Sequence, residues 1–171
     1  MSLKTNVLAA GLAPVLAACT AVATPPVPDA LHPGAGARLA LTASARGVQI
    51  YECRSGQWTF VAPQAELFDT TGRRIGTHGA GPFWQASDGS RILASVSARA
   101  DAPAAGAIPW LLLAARPAGD GPATAGVLAG ITHIQRVNTA GGSAPTGACE
   151  SAGHPLRVPY SADYHFYKSQ A

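Results

Sequence analysis

What most constrains this chain is its punctuation. Glycine or proline interrupts it at short intervals, with 19 Gly and 14 Pro among 171 residues, and the stretches between alternate in polarity at the period of a strand. Gly47–Cys53 sets Val48 and Ile50 on one face and Gln49, Tyr51 and Cys53 on the other. Arg54-Ser55-Gly56 supplies a turn and Trp58-Thr59-Phe60 resumes the alternation, which together predict a hairpin. Leu39–Leu41 reads as a weak first strand, Glu66–Phe68 as a short one, Asp69–Gly72 as a turn, and Ser90–Arg99 as a strand with one solvated side. Ile108–Pro117 is apolar on both faces and bounded by prolines. It reads as a strand buried on both sides, with a short buried helix as the alternative. A further strand runs from about Val127 to Asn138 with a break at Gly130, and Val158–Tyr160 and Tyr164–Tyr167 close the chain with aromatic strand. No amphipathic helix of ordinary length appears. The expectation is therefore an all-β single domain, a sandwich or barrel of about eight short strands, whose order the pattern does not determine.

The first residues carry a different signal. Lys4, an apolar run from Val7 to Val15 and then Leu16-Ala17-Ala18-Cys19 have the layout of a bacterial secretion signal, and the run is too short to span a bilayer. Leu16–Cys19 resembles the lipobox of bacterial lipoproteins, in which the Cys becomes the acylated first residue of the mature chain. That resemblance implies a signal peptide over residues 1–18 and a lipid such as palmitate on Cys19, anchoring the protein to a membrane without spanning it. Thr20 follows in place of Asp, which by the same resemblance implies the outer membrane of a two-membrane bacterium, facing the periplasm or the cell surface. Residues 19–28, with Pro25, Pro26 and Pro28, read as an extended tether, and residues 29–171 as the β domain. With Cys19 assigned to lipid and export to an oxidising compartment, Cys53 and Cys149 are expected to form a disulfide.

A formal net charge of +3, scattered along the chain with no basic cluster, argues against nucleic acid as a partner. The serines lack the G-x-S-x-G setting of an exposed nucleophile, and no complete catalytic constellation is visible. No cofactor motif is present.

The stretch Gly76–Trp84, followed by Asp88-Gly89-Ser90, holds a histidine and two aromatics among three glycines and a proline. It reads as a shaped loop presenting His78 and Trp84, because Gly and Pro weaken strand pairing and permit close backbone approach. The Ile131–Asn138 strand is mixed on both faces, with His133 and Gln135 on one and Arg136 and Asn138 on the other. It is the place to expect a polar lining. His78 and Trp84 are expected to face one cavity lined by Gln135 or Asn138, a stacking surface with neutral hydrogen-bonding groups for a small molecule or glycan. The alternative is an envelope enzyme or metal site using His78, Asp88 and His133. Arg136 is expected to pair with Asp163, since a buried charge needs a partner.

Six segments taken together resemble a family: Gly47–Cys53, Trp58-x-Phe60, Gly76–Trp84 with Asp88-Gly89-Ser90, Ile108–Leu112, Ile134–Thr139 and Tyr160-x-Ala162-Asp163-Tyr164. The likeness is to the bacterial and fungal domain of unknown function DUF3455 and covers about Pro28 to Tyr167. It implies no established activity. The chain departs from the family's habit at Gly79 and Phe83, where Tyr and Thr are expected, making the loop less polar.

Overall fold

The computed structural model describes residues 25–116, 125–150 and 155–170. The signal sequence and Cys19 lie outside them. The strands are β1 (Ala37–Arg54), β2 (Gln57–Phe68), β3 (Arg74–Gly79), β4 (Phe83–Ala86), β5 (Arg91–Ala100), β6 (Trp110–Arg116), β7 (Ile131–Gly141) and β8 (Leu156–Ser169). Each pairs antiparallel with the next in sequence and β8 returns to β1, so the sheet closes into an up-and-down barrel. Closure removes every full-length free edge, the standing liability of an open sheet.

Sequence-level segments merge in the longer strands. Leu39–Leu41 and Gly47–Cys53 are parts of β1, which bends at irregularities near Leu39 and Ile50 and so pairs with both neighbours across a narrow barrel. Val158–Tyr160 and Tyr164–Tyr167 are likewise one strand, β8. The β1–β2 hairpin turns on Ser55 and Gly56, with φ of 50° and 76°, the pair of positive values that a two-residue turn needs to match strand twist. Gly130, with φ 71°, ends the turn before β7, so that strand starts at Ile131 and not at Val127.

Alternating strand direction gives the barrel two unlike ends. The end bearing the β1–β2 and β3–β4 turns is called the near end. At the far end the interior is packed: Leu67, Trp84, Ile92, Ile134, Tyr164 and Phe166 are buried together with Ala43, Ala45, Ala65, Ala94 and Ala162. Small inward residues leave the bore wide enough for the aromatics. At the far end the Asp88-Gly89-Ser90 turn is tied across the opening, beside a smaller cavity of about 330 Å³ lined by Leu41, Ala43, Leu67, Leu128 and Phe166. Asp88 accepts from the Val127 and Ser90 amides at 2.7 and 2.9 Å, and the Ser90 hydroxyl accepts from the Leu128 amide, which seats buried Leu128 in the opening.

A second apolar cluster sits outside the barrel. Val27 and the short 3₁₀ turn Asp29–Leu31 lie over β5 and β6, with Leu31 fully buried against Trp110, Leu112 and Val137. This is why β6 is apolar on both faces: Leu111 and Leu113 point inward, while Trp110 and Leu112 lie under Leu31. Residues from Val27 onward are thus docked on the barrel wall, and the tether expected over 19–28 ends there.

Cys53, near the end of β1, is bonded to Cys149 in the loop after β7, as expected from the sequence. The two are 96 residues apart, a loop for which chain entropy gives about 4–5 kcal/mol of stabilisation. Reduction should therefore lower the melting temperature by several degrees or more. An identical thermal melt with and without reductant would show that the bond contributes nothing.

Candidate functional site

Gly76–Trp84 is not a loop but a short hairpin. His78 lies directly across from Trp84 in the β3–β4 register, and only residues 80–82 connect the strands. The glycines mark close approach in place of broken pairing: a Cβ on Gly76 would come within 2.4 Å of the Gln85 carbonyl oxygen. Opposed residues share a face, so both rings point into the barrel and stack at 4.3 Å. Trp84 is 1% exposed and His78 3%, so neither is presented to solvent. Tyr164 meets both rings edge-on, at 5.2 and 5.4 Å.

These rings floor a cavity of about 780 Å³ in the near half of the barrel. Its opening follows from strand length. β3 pairs with β2 only from Ala65 to Phe68, and β4 with β5 only as far as Leu93, so above the Gly81-Pro82 turn the near halves of β2 and β5 lack a partner on that side. Phe60 and Val61 on β2 and Val96 and Arg99 on β5 border the gap, and Phe60 and Val96 are about half exposed. Deeper in, Gln49, Tyr51 and Arg136 join His78, Trp84 and Tyr164 around the cavity, with Leu111 and Leu113 as apolar wall.

Arg136 occupies the centre of this group. It faces inward opposite Tyr164, whereas Asp163, one residue along β8, faces outward. The expected Arg136–Asp163 pair is thus impossible, because neighbouring residues of a strand point to opposite faces. Asp163 accepts instead from the Asn138 amide at 2.9 Å. The Arg136 guanidinium donates through Nε and Nη2 to the Pro109 carbonyl, at 3.1 and 2.7 Å. Among the described residues it has no carboxylate partner, and no Asp or Glu lines the cavity.

The other residues expected at the site are dispersed. Gln135 is buried on the outer face, where its amide donates to the Leu31 carbonyl at 2.7 Å and accepts from His165 Nδ1, fastening the N-terminal segment to the wall. Asn138 is exposed at an irregularity of β7, with φ 50°, a left-handed conformation that Asn tolerates. Neither lines the cavity. Asp88 is at the far end, and His133 is half-buried on β7 beside the Thr132 hydroxyl. Among the described residues no three His, Cys, Asp or Glu side chains are grouped to hold a metal. Gln49, Tyr51 and Tyr164 went unselected as site residues, although their signal was present: Gln49 and Tyr51 alternate with Val48 and Ile50, and only the inside of a wet barrel puts the polar set inward.

The sequence profile described as "Protein of unknown function (DUF3455)" matches residues 33–168. The chain belongs to this family. No curated protein and no solved structure matches it.

In this DUF3455 barrel Gly79 and Phe83, the two positions where the resemblance led to an expectation of Tyr and Thr, form one cross-strand pair. Gly79 opposes Phe83, and the Phe83 ring lies where a Gly79 Cβ would be, 2.5 Å from its nearest ring carbon. The Arg91 guanidinium covers the same ring at 4.1 Å. The small residue and the large one complement each other across the pair. Gly79→Tyr alone should therefore cost about 1–3 kcal/mol through overpacking, and Phe83→Thr in the same chain should restore much of it. Equal melting temperatures for the single and double variants would refute the coupling.

The charge state of the cavity is set by burial. Burial holds His78 down at about 4, the Phe83 carbonyl pulls the other way, and the Arg136 charge lowers it further. Because Nδ1 lies 2.7 Å from that carbonyl, which only accepts, Nδ1 carries the proton and Nε2 is an acceptor. Burial pushes Tyr160 and Tyr164 up, with Arg136 partly opposing, so both hydroxyls stay protonated. The unfolded chain protonates His78 near 6.5 and the folded one near 4. Stability from this group is hence full above pH 6.5, falls as pH drops, and is gone below 4, about 3 kcal/mol in all. Burial also lowers His165, with the same sign. Denaturant melts between pH 7 and 4 should show this loss, and His78→Gln should flatten most of it. An unchanged slope would mean that His78 titrates normally.

Proposed function

We propose that this chain is a cell-envelope lipoprotein, held to the outer membrane through an acylated Cys19, whose barrel takes a small and mainly apolar ligand into the near-end cavity. The observation that carries the binding reading is a half-hollow barrel. Its volume of about 780 Å³ falls within the ~300–1,000 Å³ of small-molecule sites, and eight strands are enough to enclose one small ligand. Three residues around it carry an unsatisfied polar group: Gln49 Nε2, Trp84 Nε1 and the Tyr164 hydroxyl have no hydrogen-bond partner among the described residues. Such buried groups cost about 1–3 kcal/mol each unless water or a ligand meets them. The apolar walls favour an apolar ligand over a carbohydrate. The enzyme or metal reading gains nothing from the geometry, since His78, Asp88 and His133 are in different parts of the barrel.

The anchor adds a spatial argument. Val27 and Leu31 pack beside Ala100, Ala102 and Trp110, at the near end. If the residues between Cys19 and Val27 are as extended as their prolines lead one to expect, they reach on the order of 25 Å. On this reading, lipid on Cys19 attaches on the side of the barrel where the cavity mouth lies.

Two measurements test the reading. An environment-sensitive naphthylamine dye should bind the protein saturably at one site, and Val96→Trp at the exposed rim should weaken it about tenfold without altering the melt. Dye binding that ignores Val96→Trp would lie elsewhere on the surface, and no binding to either protein would remove the ligand reading. Cys19→Ser should move the protein from the membrane fraction to a soluble or unprocessed form. A wild-type protein recovered soluble and unacylated would remove the anchor.

A further inference from the structure

The cavity carries charge of only one sign. Arg136 stands deep in it and Arg99 at its rim, and no carboxylate lines it. A guanidinium taken out of bulk water is retained at substantial cost unless an anion or good acceptors meet it. Here the Pro109 carbonyl meets the Nε and Nη2 side alone. The end-on fork, formed by Nη1 and the second hydrogen of Nη2, is left over. That fork matches the spacing of a carboxylate's two oxygens.

Neutral donors line the same cavity. The Tyr164 hydroxyl lies beside Arg136 and Tyr160 and makes no hydrogen bond of ordinary geometry, and Gln49 Nε2 has no acceptor. Tyr164 is fully buried and Gln49 is 2% exposed, so neither is a surface group that happens to lack a partner. Tyr51 is already used, donating to the Gly142 carbonyl at 2.6 Å. The unmet demand around Arg136 is therefore for acceptor atoms with one negative charge. The walls above it, Leu111, Leu113, Ile108 and the Phe60–Val96 gap, are apolar.

Resting on the reading of the cavity as a ligand site, we propose that its ligand is an apolar monocarboxylate, with the carboxylate on the Arg136 fork and the Tyr164 and Gln49 donors, and its hydrocarbon along the walls toward the gap. One inner cation suits one negative charge better than a phosphate dianion. Arg99, exposed at the rim, draws the anion inward without holding it at equilibrium.

The test is calorimetric titration of the purified full chain with octanoate, octanol, octylammonium and octyl phosphate. Octanoate should bind roughly tenfold or more tightly than octanol, as charged hydrogen bonds are worth, with octylammonium weakest and octyl phosphate weaker than octanoate. Arg136→Gln should abolish the preference for octanoate while leaving octanol affinity within about threefold. If that variant does not fold, Arg136→Lys, which keeps the charge and loses the fork, should still reduce the preference several-fold. Arg99→Gln should leave it within about twofold, as expected of a screened rim charge. Octanol binding as tightly as octanoate would overturn the carboxylate assignment and leave the cavity reading standing. Octyl phosphate binding tighter than octanoate would assign a phosphoryl head instead. A preference that survives unchanged in Arg136→Gln, or disappears in Arg99→Gln, would move the anion site out of the cavity, and one unchanged in Arg136→Lys would overturn the role of the fork. If none of the probes binds or displaces the naphthylamine dye, the carboxylate assignment fails, and it is the dye's own response to Val96→Trp that decides the cavity reading.

Discussion

The stacked pair of His78 and Trp84, wedged against Tyr164 and Phe166, is the contact on which the rest of the barrel depends. Four rings across one narrow bore demand small residues on the facing strands, and Ala43, Ala45, Ala65, Ala94 and Ala162 supply them. An up-and-down barrel of eight strands has room for such a plug or for a ligand at any one level, and not for both. By filling the waist, the rings assign the far half to core and the near half to cavity. They also explain the length of the β3–β4 hairpin. It is long enough to carry His78 and Trp84 into the waist and then stops, which opens the wall above it between Phe60 and Val96.

Period-two alternation is a local signal, and the features it governs were legible in the sequence: the all-β class, the Ser55-Gly56 hairpin, the doubly buried β6 and, with compartment logic added, the Cys53–Cys149 bond. Closure into a barrel depends on β1 meeting β8, a pairing between chain ends that no window contains. The glycine-rich stretch was misread because glycine was taken as a strand breaker. At Gly76 and Gly79 it is a spacer, admitting the Gln85 carbonyl and the Phe83 ring. The alanines carry similar information, which a high-alanine composition conceals.

Site residues were harder, because alternation assigns partners to faces without saying which face is inside. The usual guide, that the apolar face is the core, fails twice here. On β1 the inward set includes Gln49 and Tyr51, because the near half is a hollow in which a few polar groups sit among apolar walls. On β7 the outward set includes Val137 and buried Gln135, because Leu31 roofs them. Asn138 and Arg136 should share a face by period two, but the irregularity between Val137 and Ala140 rotates Asn138 to solvent. Arg136 was recognised as a charge needing a partner. Its partner was sought on the neighbouring strand, where alternation places only Tyr164 opposite it.

A hollow half-barrel must hold its shape without core to pull it together, and the near end is where the chain spends its cross-links. The disulfide ties Cys53 to Cys149, and the Cys149 amide donates to the Gly56 carbonyl, so the loop after β7 is fixed to the β1–β2 turn. Tyr51 donates to Gly142, Thr139 to the Ile108 carbonyl, and the Ile108 amide to Gly141. Gly142 takes φ 86° in a crowd where a Cβ would fall 2.8 Å from the Tyr160 Cβ, so glycine is required there by both space and conformation. Outside, the docked Val27–Leu31 segment braces β5 and β6 at the same level. At the far end the corresponding ties are the hydrogen bonds of the Asp88-Gly89-Ser90 turn to Val127 and Leu128. Covalent and hydrogen-bonded bracing concentrated around an under-filled, positively charged cavity is how a small barrel keeps a binding-sized space open in place of collapsing onto it.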